Sequence, residues 1–421
     1  MTKAYGLRLV VSVMGATLAL SAVAHAGGFA IREQSASSQG ASFAGSAAGF
    51  DLSSMYWNPA AVTAKRGVNS ETHAAIILGQ QDLTATGGTL NTPALGSATS
   101  GNIADPAALA ASYANYQFGN FYIGLSVNTP FGLTTKPEND WRGKAIGQTS
   151  ELLTVNAAPT VGYKVMPGVS VAVGAQVQYI DARLTSILTG TSATGTAIGS
   201  LEVEGDDWGF GFTAGVLLEP TSSTKIGLGF RSSVSHRLEG DQSSGIGSSS
   251  IEADVDLPEL VTLSLRQQVT QRFAFMGTVE WTNWSRVKSL DIKCTSTGGA
   301  CTSAGSTLSS LELNYDDGWF FSGGVEYAVA PNLLLRTGLA YEISPAREDT
   351  SRSVRIADND RIWASIGATY NWSAHTSLDF AYTHIFVKDG GTDQSTPTGL
   401  SLTADVDSSV DILAASLKIK W

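Results

Sequence analysis

Fourteen stretches of this sequence alternate apolar and polar side chains with period two, and the connections between them alternate short and long along the chain. The stretches lie near 68–80, 108–118, 120–131, 150–165, 169–184, 204–218, 223–238, 253–269, 272–288, 309–329, 331–343, 361–371, 375–388 and 406–421. Each is near or beyond the roughly 9 to 11 residues that a tilted strand needs to cross a bilayer. Short turns are expected at Gly119-Asn120, Met166-Pro167-Gly168, Glu219-Pro220-Thr221, Thr270-Gln271, Ala330-Pro331-Asn332 and Trp372-Ser373-Ala374. Long connections fall near 81–107, 132–149, 185–203, 239–252, 289–308, 344–360 and 389–405. An even number of strands with short turns on one side and long loops on the other is the pattern of a bacterial outer-membrane barrel.

Face chemistry supports a lipid-facing exterior. Val169, Val171, Val173, Ala175, Val177 and Tyr179 share one face of their strand, with Ser170, Gly174, Gln176 and Gln178 on the other. In the last strand Leu413, Ala415, Leu417, Ile419 and Trp421 oppose Ser416, Lys418 and Lys420. Two lysines inside a soluble sandwich would be expensive, whereas a wet lumen tolerates them. The expected fold class is all-β: a 14-stranded antiparallel transmembrane β-barrel over residues 67–421, in the outer membrane of a Gram-negative bacterium, with both termini periplasmic.

Lys3 and Arg8 precede an apolar run from Leu9 to Leu20 that closes on Ala24-His25-Ala26. This is the pattern of a secretory signal peptide, so residues 1–26 are expected to be removed and Gly27 to begin the mature chain. Beyond it no apolar stretch of roughly 18 residues remains for a spanning helix. Fourteen strands enclose a lumen wider than side chains fill in an eight-stranded barrel. Residues 27–66 are rich in Ala, Ser and Gly without period two, yet carry Phe29, Phe43, Phe50, Tyr56 and Trp57. They are expected to fold as a plug, or hatch, inside the barrel.

Only 15% of residues are charged and the net charge is -11. No Lys/Arg patch is concentrated anywhere, so nucleic acid is not expected as a partner. Cys294 and Cys301 flank a short segment between two strands. In an oxidising compartment they are expected to form a disulfide at a loop tip; a metal site would need His, Asp or Glu there, and the segment has none.

The third strand contains an anomaly. In NFYIGLSVNTPFG, residues 120–132, Phe121, Ile123, Leu125 and Val127 share one face, and the even-numbered residues the other. Then Pro130 arrives, which cannot donate to a strand ladder. A ladder interrupted by Thr129, Pro130, Phe131 and Gly132 can bulge inward and leave an opening between strands.

The mature start GGFAIREQSASSQGASFAGSAAGFDLSSMYWNPAAV, with Asn58-Pro59-Ala60, resembles the N-terminal hatch of the long-chain fatty acid transporter family of outer-membrane proteins. The likeness continues through PFGLTT, Trp141-Arg142-Gly143, GDDWGFGFTAGVLLEP, LPELVTLS, WTNWS and RIADNDRIWASIGATY. It implies passive inward movement of long-chain fatty acids or, in relatives, aromatic hydrocarbons: capture among external loops, an internal pocket, and lateral exit at a kink in the third strand. It also implies a gating role for Asn58, Pro59 and Ala60, placed beside the kinked strand so that the Asn58 amide can bond backbone groups freed by the kink, with Phe29 capping the pocket. No cofactor and no metal are implied. The partners are a hydrophobic small-molecule ligand, outer-membrane lipid and the barrel-insertion machinery, and a closed barrel is expected to be monomeric.

A carboxylate ligand would want a basic partner; the resemblance points to barrel-strand cations, for which Arg183, Lys288 and Lys293 are the candidates, with Asp181 and Asp291 nearby leaving room for an uncharged ligand. Leu133, Trp141, Ile146, Ile187 and Leu188 in the long loops could form a capture groove. Trp421 ends the last strand like the C-terminal aromatic by which such barrels are recognised for insertion. An enzyme is disfavoured: the mature chain holds only His73, His236, His375 and His384, without a Gly-x-Ser-x-Gly elbow, and GFGFTAG at 209–215 lies within a strand. A general porin would lack a plug.

Overall fold

The computed structural model describes residues 27–189, 197–396 and 399–421; the expected signal peptide, residues 1–26, lies outside them. The first strand, Val68–Gly87, is followed by Ala107–Phe118, by a third in two pieces, Phe121–Asn128 and Gly132–Thr135, and by Ser150–Met166, Val169–Thr189 and Ala197–Thr221. The seventh to tenth are each split: Thr224–Arg231 and Val234–Ser244, Gly247–Leu257 and Leu260–Gln268, Phe273–Thr282 and Ser289–Cys294, Thr307–Glu312 and Gly318–Ala330. Leu333–Ile343, Arg361–Asn371, Thr376–Val387 with Gly390–Ser395, and Ser401–Lys420 complete the wall. Neighbours pair antiparallel, and the fourteenth strand pairs with the first along its length, so the sheet closes. Six of the fourteen strands are thus built from two pieces, and Thr99–Asn102 sits in a loop, which accounts for the 21 strand segments of the sheet.

The expected fourteen strands are present, but several run further than their apolar period. Segment 239–252, expected as a loop, is the hairpin of the seventh and eighth strands, turning at Gly245-Ile246, and the turn expected at Glu219-Pro220-Thr221 falls at Ser222-Ser223. The reason is visible in the sixth strand. Trp208, Phe210 and Phe212 point outward and are exposed, while Glu202, Glu204 and Asp206, in the same outward register, carry charge. On the inner face the order reverses: Leu201 and Val203 are buried above, and polar Thr213 is buried below. The sheet keeps its ladder, but the two faces exchange polarity where the wall leaves the apolar belt. Period-two hydrophobicity therefore fades before the strand ends.

The hatch occupies the lumen as short turns: helix Ala36–Gln39, capped by Ser35, and 3-10 helices Ser46–Ala48, Leu52–Tyr56 and Pro59–Thr63. Its backbone polar groups find partners in the wall. Gly45 N donates to Thr278 Oγ1 (2.9 Å), Ala47 N to Ser264 Oγ (3.0 Å) and Ser53 N to Glu71 Oε2 (3.1 Å), while Val62 O accepts from Asn115 Nδ2 (2.8 Å). Phe43 packs among Trp57, Phe320 and Trp363. Asp51 meets Lys418 at 2.6 Å and Lys65 at 3.5 Å. Burial alone would raise the Asp51 carboxyl; the two lysines instead hold it well below the usual range.

The wall accepts the hatch at closest range where it has no side chains. A Cβ on Gly227 would lie 1.7 Å from the Ala47 carbonyl, and one on Gly229 1.8 Å from that of Trp57. Gly227→Val should therefore expel the hatch without opening the barrel. Arg32, buried in the wild-type lumen, should become a trypsin site in the variant, while the barrel keeps its heat-modifiable migration in gels.

Candidate functional site

The break in the third strand is a one-residue bulge. Asn128 pairs with Asn156 and Gly132 with Leu153, so four steps along the third strand match three along the fourth. The extra residue flips the side-chain parity: Tyr122, Ser126 and Asn128 are buried before it, Leu133 and Thr135 after it. Ladder pairing to the second strand runs from Phe118–Phe121 only as far as Ser112–Val127; beyond the bulge the next contact is the single bridge Ala104–Thr135. Ala107 to Ala111 of the second strand thus pair on the side of the first strand alone.

No empty gap results, because the start of the hatch fills the place. Ile31 N donates to Pro130 O at 2.8 Å, Gly132 N to Phe29 O at 2.9 Å, and Gln34 Nε2 to Thr129 O at 2.7 Å. Ala30 forms an antiparallel bridge with Phe131, whose own N–H donates to Thr154 Oγ1 at 2.9 Å. The hatch adds itself to the broken edge as a short strand, satisfying groups that the bulge removed from the ladder.

Directly against this stopper lies an apolar cavity of about 200 Å³. Phe29 from the hatch, Leu133 beyond the bulge, and Ile180, Leu238, Leu257, Val287, Leu313 and Ile356 line it. It exists because the seventh to tenth strands all break at this level, at 232–233, 258–259, 283–288 and 313–317. Those breaks turn Trp284 and Tyr315 into the lumen. Trp284 stands edge-on to Phe29 at 4.8 Å, and contacts Phe131 at 6.1 Å and Tyr315 at 5.8 Å; Phe29 and Phe131 are 5.9 Å apart. One aromatic cluster therefore joins the cavity, the hatch and the bulge.

A family model described as outer membrane protein transport protein (OMPP1/FadL/TodX) matches residues 17–421. The chain belongs to this family. A long-chain fatty acid transport protein of Escherichia coli is 26% identical over 411 residues, covering 86% of this chain and 87% of that protein. The crystal structure of a Pseudomonas aeruginosa FadL homologue superposes with a TM-score of 0.82 at 21% identity, covering 93% of this chain and 99% of that one. The Ralstonia pickettii toluene transporter TbuX superposes at 0.68 with 16% identity, covering 91% and 97%. At these identities the two structures establish the fold: a closed, hatch-plugged barrel. As an OMPP1/FadL/TodX protein the chain is an outer-membrane transport protein, not a member of an enzyme class.

Within this FadL-type barrel the expected site residues separate into groups. Phe29, Phe131 and Leu133 meet at the cavity, with Thr129, Pro130 and Gly132 in the bulge beside it. Asn58 lies elsewhere. Its Nδ2 donates to Ala47 O (2.9 Å) and to Val216 O of the sixth strand (3.0 Å), and its Oδ1 accepts from Ala60 N, capping the turn begun by Pro59. The expectation that its amide satisfies the kink is corrected: the kink is satisfied by hatch backbone and Gln34, and Asn58 by its own turn and the far wall. Trp284 and Tyr315 were missed; the WTNWS motif contains the first, but nothing in an alternating strand announces that it bends inward.

The three cations expected to meet a head group do not face the cavity. Ala182 and Leu184 point into it, so Arg183 points out, where it pairs with Glu202 (2.7 Å) and Glu151 (3.4 Å). Lys293 is likewise exposed beside inward Ile292 and Cys294, and exposed Lys288 donates to the Tyr315 carbonyl at 3.0 Å. The polarity exchange described above is the cause, since at this height the charged face is the outer one. Arg286, at the cavity rim, is held by both Glu259 oxygens at 3.0 and 3.1 Å.

The expected capture groove is also divided. Leu133 lines the cavity, Trp141 and Ile146 pack with Leu83, Leu90 and Leu402, and Leu188 packs on the cluster around Cys294 and Cys301. Ile187 lies in the extended fifth strand, outside those clusters. Cys294 and Cys301 are joined and buried. Trp421 N donates to Val68 O and its indole to Ser70 Oγ, fastening the end of the chain to its first strand.

Two outcomes follow. Arg183→Ala should leave ligand binding unchanged, because an exposed ion pair is worth roughly 0–1 kcal/mol and this one is outside the cavity. Phe29→Ala removes the ring joining hatch to bulge; truncating a buried aromatic costs roughly 3–5 kcal/mol, so hydrogen exchange at the Ile31 and Gly132 amides should accelerate about 100-fold or more.

Proposed function

We propose that this protein is a passive channel for hydrophobic molecules, long-chain fatty acids among them, which enter from the external side, occupy the apolar cavity and leave sideways between the second and third strands. The observation that carries this reading is the stopper: the wall's ladder is interrupted beside the cavity, and what fills the interruption is three residues of the hatch, a segment outside the wall. Lifting Phe29 to Ile31 off the bulge would connect cavity and bilayer. The route needs no energy source. Each CH₂ gains about 0.8 kcal/mol on leaving water for hydrocarbon, so release into the membrane runs downhill whereas release into the periplasm would not. In this reading both termini lie on the periplasmic side, residues 1–26 are an export signal, and the barrel works as a monomer.

The cavity favours a second reading for the ligand. Its inward side chains are mostly apolar, Arg286 at the rim is held by Glu259, and the candidate cations point away, which suits an uncharged molecule. A cavity of about 200 Å³ exceeds the roughly 150 Å³ that accommodates benzene in an engineered core. An aromatic hydrocarbon fits these features without a partner for a carboxylate.

Uptake of labelled oleate and labelled toluene, measured in parallel in cells lacking other hydrophobic-compound channels, separates the two. Uptake of oleate supports the acid, toluene alone the hydrocarbon, and neither rejects the channel. The exit is tested by deleting Pro130. Because the bulge is one residue in excess, deletion restores equal steps on the third and fourth strands with Leu133 still inward, whereas substitution would not. Transport should fall at least about tenfold, at normal surface level, if the wall must open there; unchanged uptake rejects lateral exit.

A further inference from the structure

The first two residues after Ala26 are buried deep in the lumen, with their backbone nitrogens against carboxylates. Gly27 N lies 3.2 Å from Glu342 Oε1, and Gly28 N donates to Asp358 Oδ2 at 2.7 Å. The surroundings are charged. Glu33, Glu280, Glu342 and Asp358 are all buried, as are Arg32, Arg231 and Arg361. Arg32 donates to Glu280 at 2.7 Å and reaches Glu342 at 3.5 Å, Arg361 pairs with Asp358, and Arg231 lies over the Tyr56 ring at 4.6 Å.

Four carboxyls thus share this region with three guanidiniums among the described residues, one positive charge short. Glu33 shows the shortage. Neither of its oxygens has a hydrogen-bond partner, and burial pushes its carboxyl up to about 7. Buried charges are tolerated when paired and are costly otherwise.

We propose that processing at Ala26–Gly27 supplies the missing charge: Glu342, flanked by Asp358, is the binding site for the α-ammonium of the mature chain. Hydrolysis of that peptide bond consumes one water, leaves a carboxylate on Ala26 and an amine on Gly27, and the amine takes up a proton at neutral pH. The cleavage belongs to an export peptidase, not to this protein. Local sequence fits the role. A Cβ on Gly27 would stand 2.8 Å from Glu342 Oε1, and Gly28 adopts φ +65° with a Cβ position 3.0 Å from the Trp284 ring, so a bare Gly-Gly start lets the nitrogen reach the carboxylate. The ammonium then anchors the segment that stoppers the bulge, two residues away. The inference rests on the signal-peptide reading and on the observed seat of the hatch, not on the transported ligand.

The test is amine-selective labelling of purified mature protein at neutral pH, read by mass spectrometry of the N-terminal peptide and compared with the unfolded chain. The chain is expected to start at Gly27, with its amine labelled about tenfold or more slowly than in the unfolded state, and with a pH midpoint above the ordinary 7.7–8.0 of an α-amine. Glu342→Gln should restore fast labelling and lower the midpoint. A second variant, one serine inserted between Ala26 and Gly27, displaces the ammonium without touching the barrel and should do the same. A different mature start overturns the proposal through the cleavage; a Gly27 amine as reactive as in the unfolded chain, or protected equally in wild type and both variants, overturns the ion pair. None of these results bears on uptake.

Discussion

In lipid, every backbone N–H and C=O must be satisfied within the protein, so a sheet that spans the membrane has to close on itself. The other features follow from that closure. Joining the fourteenth strand to the first creates a lumen too wide for wall side chains to fill, and here residues 27–66 fill it. That segment is itself irregular chain in a water-poor space, so its polar backbone must find partners in the wall. Serine, threonine and asparagine side chains on inward positions provide them, as do glycines that let carbonyls approach. The bulge in the third strand obeys the same demand: the groups it withdraws from the ladder are taken up by Phe29, Ile31 and Gln34 of the hatch.

The consequence is that the seal of the wall is itself a set of backbone bonds. A wall opening sealed by side chains alone would leave unpaired backbone whenever it opened or closed. Here the seal is a β-bridge and a few backbone bonds, confined to a few residues. The aromatic cluster of Phe29, Phe131, Trp284 and Tyr315 ties that bridge to the cavity.

Electrostatics hold the hatch at its other end. Asp51 bonds Lys418, which also meets Asp379 at 2.7 Å, and Arg336 lies 2.8 Å from Glu326, which in turn binds Arg266. Such a network is poor at adding net stability, since desolvation opposes it, but removing one member leaves a buried charge unpaired. It therefore fixes where the hatch sits more than how strongly the barrel folds. Because the Asp51 carboxyl is depressed, this contribution is present above the ordinary carboxylate range and is lost as pH falls through the depressed value.

Much of this was legible in the chain. Period-two alternation and the rhythm of short and long connections determined a closed barrel of fourteen strands, because local side-chain order is all that a lipid-facing wall requires. Residues 27–66, aromatic but without period two, read as the plug, and Pro130 marked the bulge because a residue without an N–H cannot sit silently in a ladder. Arg183 and Lys293 were misread for a common reason. Which face of a strand is polar depends on whether that height of the wall meets lipid or water, and an alternating pattern reads the same either way up. Only the tertiary structure set that height, turned Trp284 inward at breaks shared by four strands, and placed Gly27 against Glu342, because each of these depends on neighbours hundreds of residues apart in sequence.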